Sequence, residues 1–187
     1  LADEKNRVEL IRRTTHYNRV AGAGRLQLQP GDAFAGVAWG EETRPVPLPA
    51  DFVPLAALPE GHPALRYLAV RGFDPVELGR DWDVGYSPHD AYPWSRRGGR
   101  LVIPLRRPDG DDWSPAGWQA RSLGEAAGGP KYYTAKGLKK SLLVYGLDLA
   151  KRTAGPVLVC EGPTDVWRAG PGAVALLGKN ASVEQTQ

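Results

Sequence analysis

Val157-Leu158-Val159-Cys160-Glu161-Gly162-Pro163-Thr164-Asp165 decides how this chain is read, because an apolar run ends at a glutamate and an aspartate stands four residues further on. Successive apolar residues suit a strand covered on both faces, as in parallel sheets, and ligands gather at the carboxyl ends of such strands. Gly162 lets the chain turn sharply, and Pro163 suits the first turn of a helix, where its missing N–H has no partner to lose. Asp165 then falls one turn in, on the side of Glu161. A second apolar run, Ala173-Val174-Ala175-Leu176-Leu177, follows the punctuation Gly170-Pro171-Gly172 and stops at Gly178. The segment therefore reads strand, short helix, strand: the first half of a parallel α/β layer. An acid at such a strand end is costly to bury unless it is paired or holds a metal. Glu161 and Asp165 are thus the candidate metal ligands and catalytic acids, although an aspartate in a first helical turn also favours the helix dipole as a plain structural feature.

Working outward, the 187 residues suffice for one or two small domains, and their apolar share suits ordinary globular cores. No apolar stretch reaches bilayer length and no signal pattern opens the chain, so the expected location is cytoplasmic, without membrane contact. Cys160 is the sole cysteine, so an internal disulfide is excluded, and its place in an apolar run makes it a buried, inert thiol. His16, His62 and His89 have no ligand spacing and, with one cysteine, build no zinc site. Methionine is absent even at position 1, the pattern expected of a piece of a longer product.

Charge is unevenly spread. Residues 1 to 95 hold ten basic against thirteen acidic side chains, 96 to 152 hold twelve against five, and 153 to 187 hold two against three. The basic block directly precedes the acidic motif. Such a block suits a phosphate backbone, bound largely through counterion release, or serves simply as a solvated surface. Within it run Gly99-Arg100-Leu101-Val102-Ile103-Pro104-Leu105-Arg106, Asp109-Gly110, Gly117-Trp118-Gln119-Ala120-Arg121, Pro130-Lys131-Tyr132 and Tyr145-Gly146-Leu147. Upstream, helical segments are expected from about 63 to 71 and from about Pro75 to Arg80. Pro45, Pro47, Pro49, Pro54, Pro59 and Pro63 punctuate a stretch that reads as an extended linker, and Arg25-Leu26-Gln27-Leu28 is a short strand candidate. Trp82, Tyr86, Tyr92 and Trp94 read as core aromatics before the basic strands.

Strand, Glu-Gly-x-x-Asp, helix and a strand ending in Leu-Gly resemble the opening of a TOPRIM domain, shared by DnaG-type primases, type IA and type II topoisomerases, OLD-type nucleases and recombination mediators. The order of the basic motifs before it resembles the RNA-polymerase core of a DnaG-type bacterial or phage primase. Ala64-Leu65-Arg66-Tyr67-Leu68-Ala69-Val70-Arg71-Gly72 resembles that family's helical lead-in, in a compact, phage-like form. The likeness covers roughly residues 62 to 182.

The resemblance implies an α+β chain: an N-terminal segment and proline-rich linker (1–62), a basic mixed-sheet subdomain (63–152), and a truncated TOPRIM domain (153–187). Ala181-Ser182-Val183-Glu184-Gln185 then opens a second TOPRIM helix, and the Asp-x-Asp strand that would complete the metal site lies beyond Gln187. The implied function is synthesis of short RNA primers on single-stranded DNA by metal-dependent nucleotidyl transfer, this fragment being inactive alone. Glu161 and Asp165 would hold Mg²⁺ or Mn²⁺; a zinc module belongs outside this chain. Arg121, Lys131, Tyr132, Lys139 and Lys140 would contact template or nucleotide, with the register between Lys139 and Lys140 open because Ser141 replaces the family's glycine. For Arg121 a surface ion pair is the plain alternative, and for Tyr132 and Tyr133 ordinary packing. Single-stranded DNA, ribonucleoside triphosphates and a replicative helicase are the implied partners. A TOPRIM nuclease or topoisomerase, or a non-catalytic single-strand-binding module, remain the other readings.

Overall fold

The computed structural model describes residues 44–88, 99–109, 112–123, 130–178 and 180–185. The strand candidate at 25–28, His16, His89, Tyr92 and Trp94 lie outside them. The chain divides into two compact units, Trp39–Lys139 and one that includes Lys140–Gln187, so the boundary falls earlier than the expected 152/153.

In the first unit a five-stranded sheet has the order β1-β2-β3-β4-β5, with β1 Val53–Pro54, β2 Gly85–Ser87, β3 Arg100–Asp109, β4 Asp112–Ser122 and β5 Tyr132–Thr134. Every pairing is antiparallel, where a mixed sheet was expected. Chain order explains this: spatial neighbours are sequence neighbours from β2 to β5, and a hairpin needs no crossover. Leu101, Val102 and Ile103 alternate between the two faces of β3, yet all are fully buried, so the sheet is covered on both sides. On one face Val102, Trp118, Ala120 and Ala135 pack with Val46, Phe52, Tyr133 and Leu138. Register opposes Leu101 to Arg121 and to Tyr86, placing these on the other face with Ile103 and Leu105.

Helices α1 (Pro63–Val70) and α2 (Pro75–Trp82) match the expected segments, and each starts on a built cap. His62 Nδ1 accepts from Ala64 N–H at 3.2 Å, and Asp74 Oδ1 accepts from Val76 N–H at 2.7 Å, with Pro63 and Pro75 each in the first turn. His62 thus has a structural task. At the end of α1, Gly72 N–H donates to Ala69 O and Phe73 N–H to Leu68 O, with Gly72 at φ +75°: a Schellman stop that turns Phe73 into the core beside Leu68.

The proline-punctuated stretch is extended, but it is fastened to the sheet and does not hang free of it. Val46 N–H donates to Ala116 O at 3.0 Å, Trp118 Nε1 donates to Pro47 O at 2.9 Å, and Val53–Pro54 pairs with β2. Prolines suit this place because an edge strand needs no N–H on its outer side.

In the second unit β6 (Leu158–Cys160) lies parallel to β7 (Ala173–Ala175), with α4 (Pro163–Ala169) between them in sequence, after a 3₁₀ turn at Lys140–Leu142 and the short α3 (Leu147–Ala150). The strand–helix–strand reading holds, although the second strand stops at Ala175 instead of Leu177. Tyr145 makes a reciprocal pair of backbone bonds with Ala175, each 2.9 Å, and its hydroxyl accepts from Trp167 Nε1 at 2.7 Å. Leu177, with φ 59° and a buried side chain, leaves β-geometry altogether.

Candidate nucleic-acid and metal site

Arg121 stands at the end of β4, opposite Tyr132 on β5. It is 2 % exposed, not a surface residue, and it forms no ion pair among the described residues. Its Nε donates to Tyr67 Oη at 2.7 Å, Nη1 donates to Tyr132 Oη, and the guanidinium carbon lies 4.9 Å from the centre of the Tyr132 ring. Burial works against its charge, but the hydroxyl bond from Tyr67 and the two nearby phenols outweigh this and leave its pKa above the ordinary arginine value. A buried cation is expensive without a carboxylate. Here two tyrosine hydroxyls and a ring face carry it, with no ion pair among the described residues. Tyr67 itself lies under Arg71, whose guanidinium carbon is 5.2 Å from its ring centre. The sequence placed Tyr67 in the lead-in helix without a role at the site; what hides it is a separation of 54 residues from Arg121.

Lys131 precedes β5 and is exposed, whereas Tyr132 and Tyr133 are half-buried. The two tyrosines divide, as neighbours on a strand must. Tyr133 packs in the apolar cluster, 5.8 Å ring to ring from Trp118, and Tyr132 turns to Arg121. The backbone under Lys131 is held twice, by Ser122 N–H donating to Lys131 O at 3.0 Å and by Arg100 Nη1 donating to Pro130 O at 2.9 Å. Arg100 is 5 % exposed, and its buried Nη2 has no hydrogen-bond partner among the described residues; burial pushes its pKa down. Lys131, Lys136 and Lys139 are exposed without ion pairs among the described residues, while Arg106 is paired with Asp83.

In the second unit Lys140 is exposed at the start of the 3₁₀ turn. Glu161 follows β6 directly and is also exposed, contrary to the expectation of a buried acid, because β6 ends at Cys160 and the chain bends outward there. Its charge therefore carries no desolvation cost that demands a partner. Asp165, in the first turn of α4, is half-buried, with its N–H on Gly162 O at 3.1 Å. Burial, aided by the charge of Asp165, pushes the Cys160 thiol up to about 11, so it is the inert thiol expected. The two carboxylates offer hard oxygen, the donor type that Mg²⁺ and Mn²⁺ take. Among the described residues no group of three or more acidic, histidine or cysteine side chains gathers. No helix among the described residues is long and apolar enough to cross a membrane.

No family model matches the chain. A DNA primase of Streptomyces coelicolor is 34% identical over 146 residues, covering 60% of this chain. The chain spans 22% of that relative's length. With its basic, tyrosine-lined sheet and its acidic strand end, the chain is similar in sequence to part of a DNA primase.

Proposed function

We propose that the chain is part of a DnaG-type primase core that synthesises short RNA primers on single-stranded DNA. The observation that carries this reading is Arg121, a buried guanidinium without an acidic partner among the described residues, beside exposed Lys131 on a sheet of a chain similar to a DNA primase. A planar fork of this kind, oriented beforehand by Tyr67 and Tyr132, suits a phosphate held from two sides. Lys131 adds a point charge, and the Tyr132 ring offers a surface on which a base stacks. Positioning and electrostatics supply most of the catalysis in phosphoryl and nucleotidyl transfer, and these residues would supply both.

The strand–helix–strand segment supports a TOPRIM reading by its parallel pair and by Glu161 at the carboxyl end of β6. Glu161 and Asp165 would hold the divalent ion together with acids from elsewhere in the protein, and the ion when bound neutralises charge on the triphosphate and activates the primer hydroxyl. Lys140 would contact template or nucleotide; Lys139, next to it, would do so from the first unit.

The test is ribonucleotide incorporation on a single-stranded template by the full-length protein, wild type beside Glu161→Gln. We expect primers from the wild type and a loss of at least about a hundredfold in the variant, the scale of removing one strong electrostatic contributor. Equal yields from the two would remove Glu161 from the site. Cleavage of the template in place of primer synthesis would move the protein to the nucleases.

A further inference from the structure

We infer that Ser182 and Gln185 form a positioning device for Lys140, an inference that rests on the assignment of Lys140 to the substrate-binding surface. The 3₁₀ turn carrying this lysine is one turn long, with Leu143 N–H donating to Lys140 O at 3.1 Å, and so short a turn holds a long exposed side chain only loosely by itself. The rest of the hold comes from a segment some 40 residues away. Ser182 Oγ donates to Ser141 O at 2.5 Å. Gln185 Nε2 donates to Leu143 O at 2.6 Å and to Leu176 O at 3.0 Å, with a longer shared contact of 3.3 Å to Lys140 O. An amide NH₂ has two protons, so the two short bonds are the strong ones and the third is a bifurcated branch. Three of the four carbonyls from Lys140 to Leu143 are thereby occupied by two side chains.

Those two side chains are themselves locked. Ser182 N–H donates to Gln185 Oε1 at 3.0 Å and Gln185 N–H donates to Ser182 Oγ at 3.1 Å, the reciprocal bonds of a capping box. Gln185 is 5 % exposed, and its bond to Leu143 O is shielded from water. The box also reaches the acidic end of the parallel pair: Leu176, whose carbonyl Gln185 holds, donates its own N–H to Cys160 O at 3.4 Å, and Glu161 is the next residue. Leu177 beside it sits in the left-handed region with its side chain buried, a cost that persists only where the surroundings over-determine the backbone. Gln185 thus joins the turn of Lys140 to the strand end that bears Glu161. A plain helix start needs the capping box but not the three carbonyls beyond it.

A double-mutant cycle in the full-length protein separates positioning from mere support. The reading is the affinity for a fluorescein-labelled oligo(dT) strand, by anisotropy, for wild type, Lys140→Ala, Gln185→Ala and both together. We expect Gln185→Ala to weaken binding about fivefold to tenfold and the double variant to be within about twofold of Lys140→Ala, because the glutamine acts through the lysine. Ser182→Ala, which keeps the carbonyl contacts of Gln185, should lose about threefold with the same non-additivity, and serves if Gln185→Ala does not fold. Losses that multiply, or a Gln185→Ala protein that melts lower but binds as tightly as wild type, would overturn the inference while leaving Lys140 in place. Lys140→Ala binding like wild type would overturn both the inference and the assignment beneath it.

Discussion

Tyr67 does at the scale of one residue what composition and motif spacing do not reveal. Its hydroxyl oxygen takes the Arg121 Nε–H at 2.7 Å, so it fixes the plane of a guanidinium that has no carboxylate among the described residues to orient it. Tyr67→Phe should lower folding stability by about 1 kcal/mol, the typical net value of such a bond, and weaken single-strand binding a few-fold; urea titration and anisotropy on the same samples check both. Unchanged binding with lowered stability would leave Tyr67 a packing residue. Cys160 supplies a second prediction. A thiol that burial raises from an ordinary 9.0 to about 11 favours the folded chain below pH 9.0 and loses that contribution as pH climbs to about 11, because the unfolded thiol ionises first. The difference in thermal midpoint between wild type and Cys160→Ala should therefore shrink or reverse across that window, and a difference independent of pH would contradict the burial. Arg121 and Glu161 differ in the opposite sense: the arginine, for which a surface ion pair was the plain alternative, is buried, and the acid expected inside is exposed.

Elements matter here mainly by how they stop. Helix α1 ends in a Schellman turn because Gly72 accepts φ +75°, and the next residue, Phe73, drops into the core. Nothing lies within 4 Å of a Cβ placed on Gly72, so Gly72→Ala should cost about 1 kcal/mol through backbone conformation alone, measurable by chemical denaturation. A neutral result would mean that the turn relaxes to another cap. Strand β3 begins at Arg100 and β4 ends one residue past Arg121, both at the end of the hairpin far from its turn, and this is what brings both arginines to the start of β5. Strand β7 stops two residues short of its apolar run because Leu176 turns its carbonyl to Gln185 and Leu177 takes a positive φ.

On the scale of the molecule, Arg106 in the first unit is already neutralised by Asp83, while Lys131, Lys136 and Lys139 of the same unit stay open to solvent. Binding to single-stranded DNA should weaken steeply with salt, and Lys131→Ala should reduce the slope of log affinity against log salt by about 1, read from anisotropy at several ionic strengths. An unaltered slope would exclude a phosphate contact at Lys131. The sequence by itself determined the two helices, the parallel strand–helix–strand and the burial of Cys160, since each rests on caps, apolar runs and glycine or proline punctuation within a few residues of itself. Only the tertiary structure decided that the proline stretch is fastened to the sheet, that Arg121 rests on tyrosines from two other elements, that Glu161 faces solvent, and that Gln185 holds the turn of Lys140. Those outcomes depend on partners tens of residues apart, and side-chain hydrogen bonds across such separations leave no periodicity in a sequence.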